Sequence, residues 1–191
     1  MSAPASVALV LFGATGDLAC RKIFPALQAL IRSGSLDVPV IGVASSGLAL
    51  EQLRQRVRAS LRQHGGGGDD AAERLLALLR YVDGDYREAT THQRLRAALG
   101  GARHPLHYLA VPPSLFPLVV DGIGESGSAE GARVVVEKPF GRDLASAQAL
   151  NRALHRTFAE ASVFRIDHYL GKEAVQNLLY FRFANAFLEQ V

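Results

Sequence analysis

Apolar residues fall along this chain in two alternating textures. Short, nearly unbroken runs cover residues 6–12 (SVALVLF), 39–44 (PVIGVA), 80–84 (RYVDG), 105–111 (PLHYLAV), 132–137 (ARVVVE) and 162–166 (SVFRI). Between them lie longer stretches, 17–33, 50–63, 71–79, 88–99, 114–126 and 144–158, where apolar positions recur at helical spacing. A strand with one wet face alternates apolar and polar residues, whereas a strand covered on both faces does not. The runs therefore read as strands, and the periodic stretches as the amphipathic helices that cover them. The result is an α/β fold with a doubly wound, mostly parallel six-stranded sheet, expected in the order 3-2-1-4-5-6. Pro25, inside the first helical stretch, predicts a kink or local break. The run GGGGDD (65–70) sits between two helices of one alternating pattern. It reads as a surface loop within a single unit spanning residues 1–191.

Composition narrows the function. The 191 residues are 49% hydrophobic and 20% charged, with a formal net charge of +3. The basic residues are spread over helix-like segments such as 54–63, without a dense Lys/Arg block or interleaved aromatics. Small anionic ligands are expected, and nucleic acid is not. A single cysteine, Cys20, excludes an internal disulfide and fits a reducing compartment. The N-terminal apolar run has no positive flank and leads straight into a glycine turn, so it reads as a buried strand rather than a signal peptide. No run reaches transmembrane length. A cytoplasmic protein without a membrane partner is expected.

The first strand ends in Gly13-Ala14-Thr15-Gly16 and opens a helix. Gly13 tolerates backbone angles that a side chain forbids. Gly16 lets a phosphate approach the unpaired first-turn amides, and Thr15 can add a hydroxyl. The spacing is GxxGxxA rather than GxGxxG, and a plain strand-to-helix turn would also use glycine. Position favours the ligand: this is the first βα turn of a Rossmann-like sheet, where dinucleotides bind. The second strand should then carry the cofactor-selecting residue, an acid for NAD or an arginine for NADP. It ends instead in Val43-Ala44-Ser45-Ser46-Gly47. Two serines do not discriminate strongly by charge, so the choice between NADP and NAD stays open.

The fifth strand delivers Glu137-Lys138-Pro139, which points Lys138 at the crevice along the carboxyl ends of the strands and makes a cis proline plausible. A turn-initiating proline beside a solvated lysine is the plainer alternative. The sixth strand ends in the densest reactive cluster, RIDHYLGKE (165–173). His168 and Lys172, four residues apart across the Gly171 turn, can converge on one phosphate, with Tyr169 as a further donor. Lys172 then opens another helix. Asp167 suits the orientation of an imidazole. His168 is its sequence neighbour and faces the other way, and the remaining histidines (64, 92, 104, 107 and 155) read as solvated or structural. The residues present an orienting carboxylate without its base.

The motifs GATGDLACRKIFPAL, YLAVPPSLF, EKPFGRDLASAQALN and RIDHYLGKEAVQN together resemble glucose-6-phosphate dehydrogenase, from about Val7 onward. The resemblance implies oxidation of glucose 6-phosphate to the phosphogluconolactone, with hydride passing to NAD or NADP, the first step of the pentose phosphate pathway. By motif it implies that Gly13, Ala14, Thr15, Gly16, Asp17 and Leu18 cradle the dinucleotide, with Tyr108 and Lys138 beside it. Lys22 and Lys138 would lie near the reacting centre, and Lys138, His168, Tyr169 and Lys172 on the sugar phosphate. Asp167 would orient a catalytic histidine. That general base belongs, in the family, to a second and larger α+β domain, which also carries most of the homo-oligomer contacts. Neither is expected within these residues, so the chain by itself is expected to be inactive. The family commonly has an arginine where Ser45 stands. Two other readings fit parts of the pattern: a non-catalytic dinucleotide-binding module, and another sugar oxidoreductase with an EKP motif, which explains GATG and Glu137-Lys138-Pro139 but not RIDHYLGK.

Overall fold

The computed structural model describes residues 7–65 and 67–184. Its centre is a six-stranded sheet in the order β3-β2-β1-β4-β5-β6, all pairs parallel, as the apolar runs predict. The strands are β1 (Val7–Phe12), β2 (Val40–Ala44), β3 (Leu79–Asp83), β4 (His104–Leu109), β5 (Arg133–Glu137) and β6 (Val163–Ile166). Residue 6, at the start of the first predicted run, lies outside the described residues.

Two cores explain why the central strands are apolar throughout. On β1, Ala8, Val10 and Phe12 join one core while Leu9 and Leu11 join the other. The first core is closed by α4 (Ala89–Leu99), α5 (Phe116–Glu125) and α6 (Leu144–Thr157). The second is closed by α1 (Phe24–Arg32), α2 (Leu50–His64) and α3 (Asp70–Leu78). Fully burying a Leu or Phe contributes roughly 1.5–3 kcal/mol, so a polar residue on either face of β1 would forfeit that and add a desolvation cost. The edge strands escape this pressure: Arg80 on β3 and Phe164 on β6 are exposed. Beyond β6, a 3₁₀ turn (His168–Gly171) leads into α7 (Glu173–Ala184).

Pro25 does break the helix, and the break has a defined form. Residues Ala19–Ile23 make a π-helical turn, with the Phe24 N–H donating to the Ala19 carbonyl five residues back. Pro25 has no N–H and its ring crowds the preceding turn. A widened turn just before it accommodates both problems. The glycine run is tied to α1 at Gly67. Buried Gln28 of α1 donates from Nε2 to the Gly67 carbonyl (3.0 Å) and to Asp69 Oδ1 (2.8 Å), and Asp69 caps α3 by accepting from the Ala72 N–H. Cys20 is buried. Among the described residues no helix is long and apolar enough to cross a membrane.

One core histidine makes the fold sensitive to acid. His107 on β4 is fully buried, and its Nε2 bonds the Ser128 carbonyl at 2.9 Å. A carbonyl only accepts, so Nε2 carries the proton and Nδ1, which has no partner, is bare. Burial pushes the ring down to about 4. The unfolded chain takes up this proton near 6.5 while the folded one refuses it. The stability contributed by neutral His107 is therefore complete above about 6.5 and drains away as pH falls toward 4, a loss of roughly 3 kcal/mol. Urea denaturation at both ends of that window checks this. His107→Gln should flatten the pH dependence, and an equally steep fall in that variant would show that another group is responsible.

Candidate active site

The turn after β1 is pinned from below. Gly13 sits at φ +79°. Its N–H is shared between the Val43 carbonyl (2.9 Å) and the Tyr86 hydroxyl (3.0 Å), and that hydroxyl in turn donates to the Val43 carbonyl. Ala14 is buried against Gly42 of β2, where a Cβ would come within 2.8 Å of the Ala14 methyl. Gly16 differs. A Cβ built there meets only the Gly13 carbonyl, at 3.2 Å, and nothing else within 4 Å. The space in front of Gly16 is thus open beside the first helical amides at Asp17 and Leu18. This is the geometry an anion needs at a helix N-terminus.

The second group gathers at the ends of β4, β5 and β6. Glu137, the last residue of β5, is buried, with one carboxylate oxygen accepting from the Tyr108 hydroxyl and the other held by His168 Nε2 at 3.0 Å. An ionised carboxylate only accepts, so Nε2 carries the ring proton and Nδ1 is the nitrogen left for another partner. Burial first, and Glu137 second, push the Tyr108 phenol well above its ordinary range. Lys138, whose peptide bond to Pro139 is cis, donates from Nζ to Asp167 Oδ2 at 2.9 Å. The Tyr169 N–H donates to Asp167 Oδ1 at 2.9 Å. Those two bonds, the ammonium first, hold Asp167 below the usual carboxylate range. Lys22, from the π-helical turn, shares a cavity of about 420 Å³ with Tyr108, Glu137 and His168. A larger cavity of about 760 Å³ lies between Pro112, Pro113, Pro139 and α6.

A third feature lies where β2 and β3 end together. Asp83 Oδ1 accepts from the Ser46 N–H (3.0 Å), the Gly47 N–H (2.9 Å) and the Tyr81 hydroxyl (2.9 Å). Ser45 stands exposed just before them.

A glycine turn at the head of the sheet and a charged cluster across it can be set beside known proteins. The family described as glucose-6-phosphate dehydrogenase, NAD binding domain, matches residues 10–177. The chain belongs to this glucose-6-phosphate dehydrogenase family. It is 42% identical over 187 residues to glucose-6-phosphate 1-dehydrogenase 1 of Mycobacterium tuberculosis (strain ATCC 25618 / H37Rv), a match covering 98% of this chain and 40% of the relative. It is 44% identical over 191 residues to the Saccharomyces cerevisiae enzyme, covering 93% of this chain and 38% of that one. A solved glucose-6-phosphate dehydrogenase in complex with its substrate superposes with a TM-score of 0.86 at 40% identity, over 97% of this chain and 41% of the other. The chain thus spans about 40% of the length of the curated relatives it matches.

Against the glucose-6-phosphate dehydrogenase expectations, the structure brings together some residues and separates others. Gly13, Ala14, Thr15, Gly16, Asp17 and Leu18 form one continuous turn and first helical residues. Lys138 and Asp167 meet directly, at 2.9 Å. Tyr108, expected beside the cofactor, has its hydroxyl on Glu137. His168 and Lys172 each have a partner of their own here. The imidazole has taken Glu137, and the ammonium stands 5.2 Å from the Tyr169 ring centroid, where a cation is attracted by the ring face. Three residues escaped the sequence reading. Glu137 was overshadowed by the adjacent lysine, although strand alternation sends the two neighbours to different partners. Tyr86 lies in a loop with no local signal. Asp83 had a signal: with β3 beside β2, an acid ending β3 must lie next to the loop that ends β2.

Proposed function

We propose that residues 1–191 form the nucleotide-binding domain of a glucose-6-phosphate dehydrogenase, a cytoplasmic enzyme oxidising glucose 6-phosphate at its anomeric carbon. The observation that carries this reading is the shared edge: the open turn at Gly16 and the cluster Lys22, Glu137, Lys138, Asp167 and His168 both lie at the carboxyl ends of the parallel strands, where such sheets bind ligands. The pyrophosphate of NAD or NADP would rest on the amides of Gly16 to Leu18. The nicotinamide, when bound, supplies the hydride acceptor. On the sugar side, Lys138 is fixed by Asp167 and supplies a positive charge at the crevice. His168, with Nε2 committed to Glu137, offers Nδ1 to a phosphate oxygen as a donor when the ring is protonated. Tyr169 and Lys172 supply a phenol and an ammonium one turn further on.

Calorimetry with each dinucleotide tests the first half. Gly16→Val fills the open space with a branched side chain and should weaken binding by tenfold or more, about 1.4 kcal/mol, while circular dichroism stays native. Unchanged affinity would remove the pyrophosphate from this turn. For the second half, glucose 6-phosphate added in an NMR titration should move the His168 ring resonances. A purely nucleotide-binding module would leave them still.

A further inference from the structure

We infer that Asp83 makes this domain select NAD over NADP. The inference rests on the dinucleotide reading above and concerns the end of the cofactor that carries the adenosine ribose. In a sheet of this topology the loop after β2 meets that ribose, and a 2′-phosphate there needs donors. Here two successive amides of that loop are already engaged by an internal anion. The Ser46 and Gly47 N–H groups both donate to Asp83 Oδ1, at 3.0 and 2.9 Å. The Ser46 hydroxyl is paired with the Tyr81 hydroxyl at 2.7 Å, and that phenol also bonds Asp83. A carboxylate from β3 thus stands where an anion-binding loop would hold a phosphate.

The carboxylate stays charged. The Ser46 N–H, chiefly, with Tyr81 and the Gly47 N–H behind it, holds Asp83 below the usual range. The nearby cations are otherwise employed. Arg54 on α2 donates to the Leu76 carbonyl and lies 3.6 Å from Glu51. Arg94 on α4 donates to the Thr90 carbonyl, with its Nη2 beside Gly84. A 2′-phosphate would therefore meet a fixed negative charge and occupied amides. A ribose 2′-hydroxyl is a neutral donor, and the three bonds to Asp83 described above all end on Oδ1, leaving Oδ2 outside that set. The acid that usually ends β2 is here delivered by its neighbour, one strand over.

The test is the ratio of NADP to NAD dissociation constants, measured by calorimetry on the 191-residue chain and on Asp83→Asn. The asparagine carbonyl can still accept from both amides, so the loop is kept and only the charge is lost. The unmodified chain should bind NAD at least about tenfold more tightly, as like-charge juxtaposition predicts. Asp83→Asn should move that ratio toward NADP by about tenfold while leaving NAD affinity within a few-fold. Ser45→Arg, which adds a guanidinium beside the same loop, should move it in the same direction. An unmodified chain that binds both equally, or that prefers NADP through Arg94 or any other cation, overturns the inference and leaves the dinucleotide reading standing. Binding of neither nucleotide overturns both.

Discussion

A polypeptide of residues 1–191, given glucose 6-phosphate with either nicotinamide dinucleotide, is expected to produce no reduced cofactor above the enzyme-free rate. Hydride leaves the anomeric carbon only as its hydroxyl proton is taken, so a base must lie within hydrogen-bond reach. The six histidines of the chain all fall within the described residues, and each is accounted for. His92 and His107 are buried on backbone carbonyls, His104 bonds the Gly131 carbonyl, His155 pairs with Glu160, and His64 ends α2. His168 alone reaches the cluster, and Glu137 holds it. Asp167 is the other candidate. Lys138 and the Tyr169 N–H stabilise its anion and make it a weaker base than a free carboxylate. General-base assistance is typically worth ~10²–10⁴-fold, and imperfect positioning of the sugar costs more. Absorbance of the reduced nicotinamide is the readout. Steady turnover that disappears in Asp167→Asn or His168→Asn would place the base among these residues and defeat the expectation.

Gly13→Ala should lower the stability of the fold by about 3 kcal/mol or more. Two costs add: an alanine held at positive φ is strained by ~1–3 kcal/mol, and the new methyl has nowhere to go. Its Cβ would lie 2.2 Å from the Ala110 carbonyl oxygen, an atom of backbone anchored by the Ala110 N–H bond to Phe12. Overpacking of that kind typically costs a further ~1–3 kcal/mol. Gly47→Ala separates the two, because Gly47 also sits at positive φ (+68°) but has nothing within 4 Å of its Cβ position. That variant should pay the strain alone. Equal midpoints for the two variants in urea would mean that the clash with Ala110 relaxes freely and the turn is softer than its hydrogen bonds suggest.

The sheet was legible in the sequence because burial on both faces leaves a mark on every residue of a strand. VALVLF and RVVVE admit no polar alternation, and with six such runs the strand order follows from the topology of the class. The glycine turn was legible for a related reason, since it must follow the first strand. Side-chain partners were not. Whether Glu137 meets Tyr108 or Lys138 depends on the angle at which neighbouring strands twist, and nothing in the string EKPF states it. His168 was placed at the strand end and given to a phosphate, with no carboxylate partner; its partner here is Glu137, at the end of the neighbouring strand β5. Asp83 shows the same limit for cofactor choice: the strand-end residue that matters belongs to the adjacent strand.

The π-helical turn at Ala19–Ile23 has a consequence for how this protein tolerates change. One residue more than an α-helical turn rotates everything before it by about 100° relative to everything after. The front of the helix is indexed to the glycine turn, and its rear is indexed to the core through Phe24 and Leu27. These two settings are independent, and the extra residue is the gear between them. It lets Lys22 address the cavity shared with Tyr108, Glu137 and His168 while the hydrophobic stripe behind Pro25 still meets the sheet. Deleting a single residue here would shift the front of the helix by about 100° against its rear and turn Lys22 away, a change in phase that no point substitution could repair.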